Sequence, residues 1–423
     1  MALPLPSRSK SVTQQPLRWT ALIVIAALAG CERVAVGDAL DYRPMQFATS
    51  ELVRSATPAW SALITDLNSD GIEEIVLTGH RGTLRPGFCT LDGSAPCQWQ
   101  PFLDQGKDRH DCTDGDVDAD GDIDLYCTSG ADRGAGLGPN EVWRQIEPLI
   151  FESVPDALGA SEASSRGRLA TFIDFNRDAW PDLVTTAWGT RSDGKDNRSK
   201  LWVNVAGVFH LFELRLPDAF GARCLTTDDV DRDGFIDLLG CPSSPGLTLL
   251  RNHRASMLEV IAVGDPSDWY WDAQLLASGQ NELRKIISTG GNRGEMFVEI
   301  AQLTRTLEIK ERRRISCWQA AVDDNRDVYC GRLLLHDADG DGHTDILVSR
   351  RKGFRHENVL GDAPDLVIFG PSFQTFTDLP TTAFGASQVL FAAESGIVQV
   401  NAGEAWPGSV DLLQIVLPPK NKH

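Results

Sequence analysis

Five short stretches of the chain carry hard oxygen donors at one spacing: an acidic residue or Asn at positions 1, 3, 5 and 9 of a nine-residue segment, usually with Gly at position 6. The first is Asp66, Asn68, Asp70, Gly71 and Glu74, and the second is Asp116, Asp118, Asp120, Gly121 and Asp124. Asp174, Asn176, Asp178 and Asp182 follow, with Ala179 at the Gly position, then Asp229, Asp231, Asp233, Gly234 and Asp237, and last Asp337, Asp339, Asp341, Gly342 and Asp345. Calcium takes about six to eight oxygens at roughly 2.3–2.6 Å, and alternate carboxylates on a tightly turned loop converge on one such ion. Gly at position 6 permits the turn. Position 7 would add its backbone carbonyl, which leaves its identity free: Ile72, Asp122, Trp180, Phe235 and His343. The expected cofactor is therefore Ca²⁺, about five ions per chain.

The elements that must hold these loops are strands. An EF-hand needs a carboxylate at position 12 and a following helix, but position 12 here is Leu77, Cys127, Thr185, Gly240 and Val348. Each loop runs instead into a short apolar stretch such as Ile75-Val76-Leu77 or Ile346-Leu347-Val348, which reads as a strand by length and β-branched content. From position 1, the first four loops recur at steps of 50, 58 and 55 residues. Aligning Ile286 to Gly290 with Ile75 to Gly79 places a further copy at Ala277, Gly279, Asn281 and Lys285, which has lost its ligands and is expected to hold no calcium. Pro155-Asp156-Ala157-Leu158-Gly159-Ala160 returns as Pro217-Asp218-Ala219-Phe220-Gly221-Ala222 and in part as Ala383-Phe384-Gly385-Ala386, the mark of a seventh unit. Glu141-Val142-Trp143 followed by Phe151 parallels Lys200-Leu201-Trp202 followed by Phe209, a second strand pair of the same unit.

Asp-rich nine-residue loops inside units of this length resemble the FG-GAP and VCBS repeats of integrin α-subunit propellers and bacterial secreted proteins. The resemblance covers residues 47–423 and implies an all-β fold, a seven-bladed β-propeller with calcium-binding inter-strand loops, whose short sheet edges are protected by radial closure. It implies that the calcium loops lie on one face and that inter-blade loops shape the opposite one. The fifth and seventh units depart from the pattern by lacking ligands.

Residues 1–30 read as an export signal: Arg8, Lys10 and Arg18 precede an apolar run from Trp19 to Gly30 too short to span a bilayer. Leu28-Ala29-Gly30-Cys31 resembles a bacterial lipobox, in which Cys31 is lipidated and becomes the mature N-terminus, with residues 31–46 as a tether. Glu32 after it fits an outer-membrane lipoprotein facing the periplasm or the outside. Removing Cys31 from nine cysteines leaves eight, in close pairs along the chain: Cys89 and Cys97, Cys112 and Cys127, Cys224 and Cys241, Cys317 and Cys330. Eight cysteines allow 105 connectivities, and neighbour pairing in an oxidising compartment is the expected one. Zinc is the competing reading, but no CxxC occurs and His110 with Cys112 is the one close Cys/His pair. On a propeller, the pairs at 112/127 and 224/241 would each bridge a hairpin around a loop.

The formal charge is −19, and the leader removes three basic residues, so nucleic acid is excluded as a partner on charge. No HExxH, GxSxG or phosphate-cradling Gly loop is present, and His110, His253 and His336 read as surface or loop residues. Trp269-Tyr270-Trp271 forms a candidate ligand contact, since flat aromatics stack on sugar or aromatic faces; filling space between blades is the simpler role. Trp188 is a candidate of the same kind. Arg312-Arg313-Arg314 and Arg350-Arg351-Lys352 read as strand faces that offset local negative charge. The function expected is that of a surface-anchored, calcium-stabilised propeller binding a protein or glycan at the cell envelope, with the membrane engaged through the lipid. The alternative is a carbohydrate-active enzyme such as a polysaccharide lyase; catalysis is the less favoured of the two.

Overall fold

The second strand of each repeat is apolar on both faces, so it must be covered on both sides, and sheets stacked around an axis satisfy that demand. In the computed structural model, strands Asp124–Ser129 and Asp182–Ala187 are buried at every residue. The structure describes residues 40–46, 48–55, 59–79, 87–92, 100–101, 103, 108–132, 135–136, 139–162, 166–188, 198–276, 283–292, 295–317, 328–352, 364–379, 389–393, 396–402 and 410–416. The chain divides between Val34 and Ala35. The leader, Cys31 and the expected tether up to residue 39 lie outside the described residues.

The strands form antiparallel sheets in chain order. Sheet A contains Ala59–Thr65, Glu74–Gly79, Gly87–Thr90 and Gln100–Pro101, and sheet B contains Arg109–Gly115, Asp124–Ser129, Glu141–Glu147 and Ile150–Val154. Sheet C contains Gly167–Ile173, Asp182–Ala187, Lys200–Val205 and Val208–Leu211; sheet D contains Cys224–Asp228, Asp237–Cys241, Thr248–Asn252 and Leu258–Ala262. Sheet E follows with Trp269–Leu276, Lys285–Asn292, Glu295–Leu303 and Ile309–Ser316. Sheet F contains Val328–His336, Asp345–Lys352, Leu366–Phe369 and Thr375–Asp378, with Asp41–Tyr42 added in parallel at its outer edge. Sheet G contains Val389–Ala393, Gly396–Ala402 and Val410–Val416, and its fourth strand is Ala48–Ser55 from the other end of the chain. A two-stranded ribbon, Ala131–Asp132 with Ala135–Gly136, projects from sheet B.

First strands of successive sheets touch one another from A to G, and Val389–Ala393 of G touches Ala59–Thr65 of A. That closed ring of inner strands makes the fold an all-β propeller. Among the described residues its one helical turn is Pro155–Gly159, on the link between sheets B and C. Here Gly159 (φ +102°) is required, because a Cβ would meet the Phe209 carbonyl at 2.4 Å.

The core lies between neighbouring sheets rather than at a single centre. Leu67, Val76, Phe88, Leu125 and Trp143 fill the A/B gap; Tyr126, Val142, Leu183, Trp202 and Phe209 fill the B/C gap. Tyr270 and Phe297 meet edge to face at 6.1 Å between D and E. Tyr270 is fully buried, so it leaves the candidate contact set that included Trp269 and Trp271. His110 is another correction: expected at the surface, it is 3% exposed, because it follows the first residue of an inner strand and packs against Gly130.

Cys112 faces Cys127 and Cys224 faces Cys241 across the first hairpins of B and D, each pair disulfide-bonded, and Cys317–Cys330 links sheets E and F. Cys89 is disulfide-bonded as well, while its expected partner Cys97 lies outside the described residues. Such bonds persist in an oxidising compartment. Among the described residues no helix is long and apolar enough to cross a membrane.

Candidate metal loops

Each of the five Asp-rich segments links the first strand of a sheet to its second, in A, B, C, D and F. Position 9 is the opening residue of the second strand in every case, and all five acids there are fully buried. The Asp spacing folds as it does because side-chain oxygens accept the backbone N–H groups that a tight turn leaves open. The N–H of position 5 donates to Oδ1 of position 1 at 3.0–3.1 Å, and that of position 6 donates to Oδ2 of the same residue at 2.8–3.2 Å. The N–H of position 7, from Ile72, Asp122, Trp180, Phe235 and His343, donates to Oδ1 of position 5. Position 2 donates its N–H to the position 9 carboxylate at 2.8–3.1 Å.

Two residues per loop are left-handed. Position 6 is Gly71, Gly121, Ala179, Gly234 and Gly342 at φ of +69° to +95°. Position 4 is equally left-handed, although its residue types do not mark it: Ser69, Ala119, Arg177, Arg232 and Gly340. Ala179 fits because the equivalent glycines 71, 121 and 342 have open space where a Cβ would stand.

In loops B, D and F, the carboxylates of positions 1, 3 and 9 bring one oxygen each within 4.8 Å of the others: Asp116, Asp118 and Asp124; Asp229, Asp231 and Asp237; Asp337, Asp339 and Asp345. These three Asp clusters could hold a metal ion. In the same three loops an arginine reaches the position 3 carboxylate. Arg144 pairs with Asp118, Arg251 Nε donates to Asp231 at 2.6 Å, and Arg43, lying over the Phe369 ring, donates to Asp339 at 2.6 Å. Loops A and C carry Asn68 and Asn176 at position 3, whose Nδ2 donates to Asp70 and Asp178. Counting positions 1, 3, 5 and 9 with that arginine, four carboxylates with one guanidinium and three carboxylates with an amide both leave three negative charges.

Burial first, and then the neighbouring loop carboxylates, hold the position 9 acids above their usual range. Asp124 and Asp182 are pushed up to about 6 and Asp237 and Asp345 to about 7, while backbone N–H groups pull the other way. Glu74 is raised by the same burial. A cation on the loop would reverse this by favouring the charged forms. Asp118 Oδ1 is buried without a hydrogen-bond partner, an acceptor that a hard cation fits.

A carboxamide on the third strand ties each of three loops to the next sheet. Gln145 Nε2 donates to the Leu67 carbonyl of loop A at 2.8 Å, Asn204 Nδ2 to Val117 of loop B at 2.8 Å, and Asn252 Nδ2 to Phe175 of loop C at 2.9 Å. Each amide oxygen accepts an N–H of its own hairpin, from Leu149, Gly207 and Ala255. Arg284 of sheet E does the same for loop D through the Asp229 carbonyl. These latches escaped the sequence reading; the signal that could have found them is an amide just past the Trp143, Trp202 and Leu250 positions.

The degenerate copy falls in sheet E, where Lys285 opens the second strand in place of an acid. Its other positions, Ala277, Gly279 and Asn281, lie outside the described residues. Within the basic clusters, Arg312 and Arg314 pair with Glu299, and Arg350 pairs with Asp378; the side chains of Arg351 and Lys352 lie outside what the structure describes.

No family model and no curated protein matches the chain. Solved structures do. The chain is similar to BBS1N in its complex with ARL6DN, at 12% identity and a TM-score of 0.51, covering 88% of this chain and 98% of that one. It is also similar to Saccharomyces cerevisiae Sqt1, at 11% identity and a TM-score of 0.48, covering 91% and 100%. At such identity the first likeness speaks for the fold alone.

Proposed function

We propose that the chain is a calcium-stabilised, seven-bladed propeller of the FG-GAP/VCBS type, exported, anchored at the cell envelope through a lipid on Cys31, and used to bind a protein or glycan. The blade count reads each of sheets A to G as one blade, with Asp41–Tyr42 as an addition to the edge of F and Ala48–Ser55 as the strand that closes G. A propeller fold is consistent with a binding or scaffold role.

The observation that carries the calcium reading is the convergence of three carboxylates in each of loops B, D and F, with Asp118 Oδ1 left buried and unpaired. Asp66, Asn68, Asp70 and Glu74, and Asp174, Asn176, Asp178 and Asp182, would hold ions in the same way. When bound, calcium supplies charge neutralisation and ties each hairpin shut; the latches from Gln145, Asn204 and Asn252 carry that order to the next sheet.

The test is a binding panel of neutral and acidic polysaccharides and envelope proteins against the calcium-loaded chain, with products followed in parallel. Saturable binding without product release is expected. Release of unsaturated sugars would instead support a lyase, and no binding across the panel would remove the ligand-binding reading.

A further inference from the structure

Arg223 immediately precedes the first strand of sheet D, at the end away from loop D. Its guanidinium carbon lies 4.3 Å from the Trp269 ring centre, 4.6 Å from Trp271 and 5.5 Å from Trp188. Trp269 and Trp271 start the inner strand of sheet E, where a bulge between Tyr270 and Asp272 takes Trp271 out of the ladder. Trp188 follows the second strand of sheet C and is 36% exposed. Three indoles from two sheets thus surround one cation from a third.

That cation is incomplete. Arg223 Nε and Nη1 are buried and have no hydrogen-bond partner. Buried N–H groups on a charged fork are costly to leave open. Asp111 and Asp272, on the inner strands of sheets B and E, are engaged elsewhere. Asp111 accepts from the Ser61 hydroxyl at 2.8 Å and the Ala170 N–H at 3.1 Å, and Asp272 accepts from the N–H groups of Leu333 and Ala273. Arg332 is the cation that acts on both of those acids, and it also donates to the Arg223 backbone carbonyl at 3.0 Å. Arg168, on the Trp188 ring at 5.0 Å, contacts His110 Nδ1 at 2.5 Å and feels Asp108. Burial alone lowers Arg223, to about 10, with no carboxylate acting to raise it.

We propose that Arg223, with Trp188, Trp269 and Trp271, forms a carboxylate-binding site that takes a uronate residue of an acidic glycan. The inference rests on the ligand-binding reading above and narrows its ligand class. A carboxylate presents two oxygens in the geometry of a guanidinium fork. One uncompensated positive charge matches a monoanion better than a phosphate dianion. The partly exposed indoles suit the C–H face of a pyranose ring, and they keep water from the ion pair, which strengthens it.

The experiment titrates the calcium-loaded full chain with trigalacturonate, with trimannuronate, and with the methyl esters of both, following tryptophan fluorescence and heat. At least one free acid is expected to bind, with its ester at least tenfold weaker. Arg223→Gln should weaken the acid at least tenfold, and Arg223→Lys should restore part of the affinity, because charge returns without the fork. Should Arg223→Gln fail to fold, Trp188→Ala, at a partly exposed position, replaces it and should cut the affinity several-fold. Equal binding of acid and ester, affinity unchanged in both variants, or no binding of either acid would each overturn the proposal. A neutral glycan or protein that binds the parent and Arg223→Gln alike would leave the broader binding reading standing while removing this site from it.

Discussion

Replacing Asn252 by Ala tests whether the propeller's order passes from loop to neighbouring sheet. Asn252 is fully buried and makes three hydrogen bonds: Nδ2 donates to the Phe175 carbonyl at 2.9 Å and the Ile236 carbonyl at 3.2 Å, and Oδ1 accepts from Ala255 at 2.7 Å. The substitution strands two carbonyls and one N–H in a space that Ala does not fill. At about 1–2 kcal/mol for each unsatisfied group, the loss comes to about 3–6 kcal/mol. With an unfolding entropy of roughly 2.1 cal/mol/K per residue, a chain of 423 residues should lose about 3–7 °C in Tm. The decisive readout is local, since Phe175 is position 2 of loop C, in the preceding sheet. Hydrogen exchange should therefore quicken over 174–182 as well as in the Asn252 hairpin. If exchange rises in sheet D only, the latch carries no order between sheets and the reasoning fails.

Arg251→Ala removes the cation from Asp231 and raises the charge of loop D from three to four negatives. Calcium affinity at that site should rise roughly 3- to 10-fold at low salt, a gain that added salt erodes; calorimetric titration showing equal or weaker binding would contradict it. Asp111 is held at about 6, chiefly by burial, against the pull of Ser61, Ala170 and Arg332. Its protonated form is the one the fold favours, so this group's contribution is greatest below about pH 4 and is lost as pH rises to about 6, by at most about 3 kcal/mol. In a pH series of melts, Asp111→Asn should gain on the parent over that window and then hold level; a difference independent of pH would refute the assignment.

The hairpin loops were legible in the sequence because their chemistry is local: the acids at positions 1 and 5 bond backbone within five residues of themselves, and the strand that follows is a run such as Ile75-Val76-Leu77. The register at Cys112/Cys127 and Cys224/Cys241 was legible for the same reason, since both pairs straddle a loop of known turn. What escaped was long-range. Ala48–Ser55 pairs with Val410–Val416 from the opposite end of the chain, and nothing in its composition marks it as the closing strand of G. Leu40 to Arg43 fell inside the expected tether, yet Asp41 and Tyr42 pair with Thr375 and Phe376 and Arg43 reaches Asp339. For Trp269-Tyr270-Trp271 both ligand contact and packing between blades were open, and at Tyr270 packing wins: strand alternation turns it inward, where its hydroxyl accepts from the Asp265 N–H. Arg223, a single basic residue before a cysteine, gave no signal until three indoles from other sheets were seen around it.

Whether the five loops are calcium sites can be read from elemental analysis of the purified chain after exhaustive dialysis against calcium-free buffer. About five calcium ions per chain are expected, released by a strong chelator. Less than one ion per chain, from protein that had been saturated with calcium before dialysis, would contradict that expectation and leave the Asp spacing as turn chemistry alone.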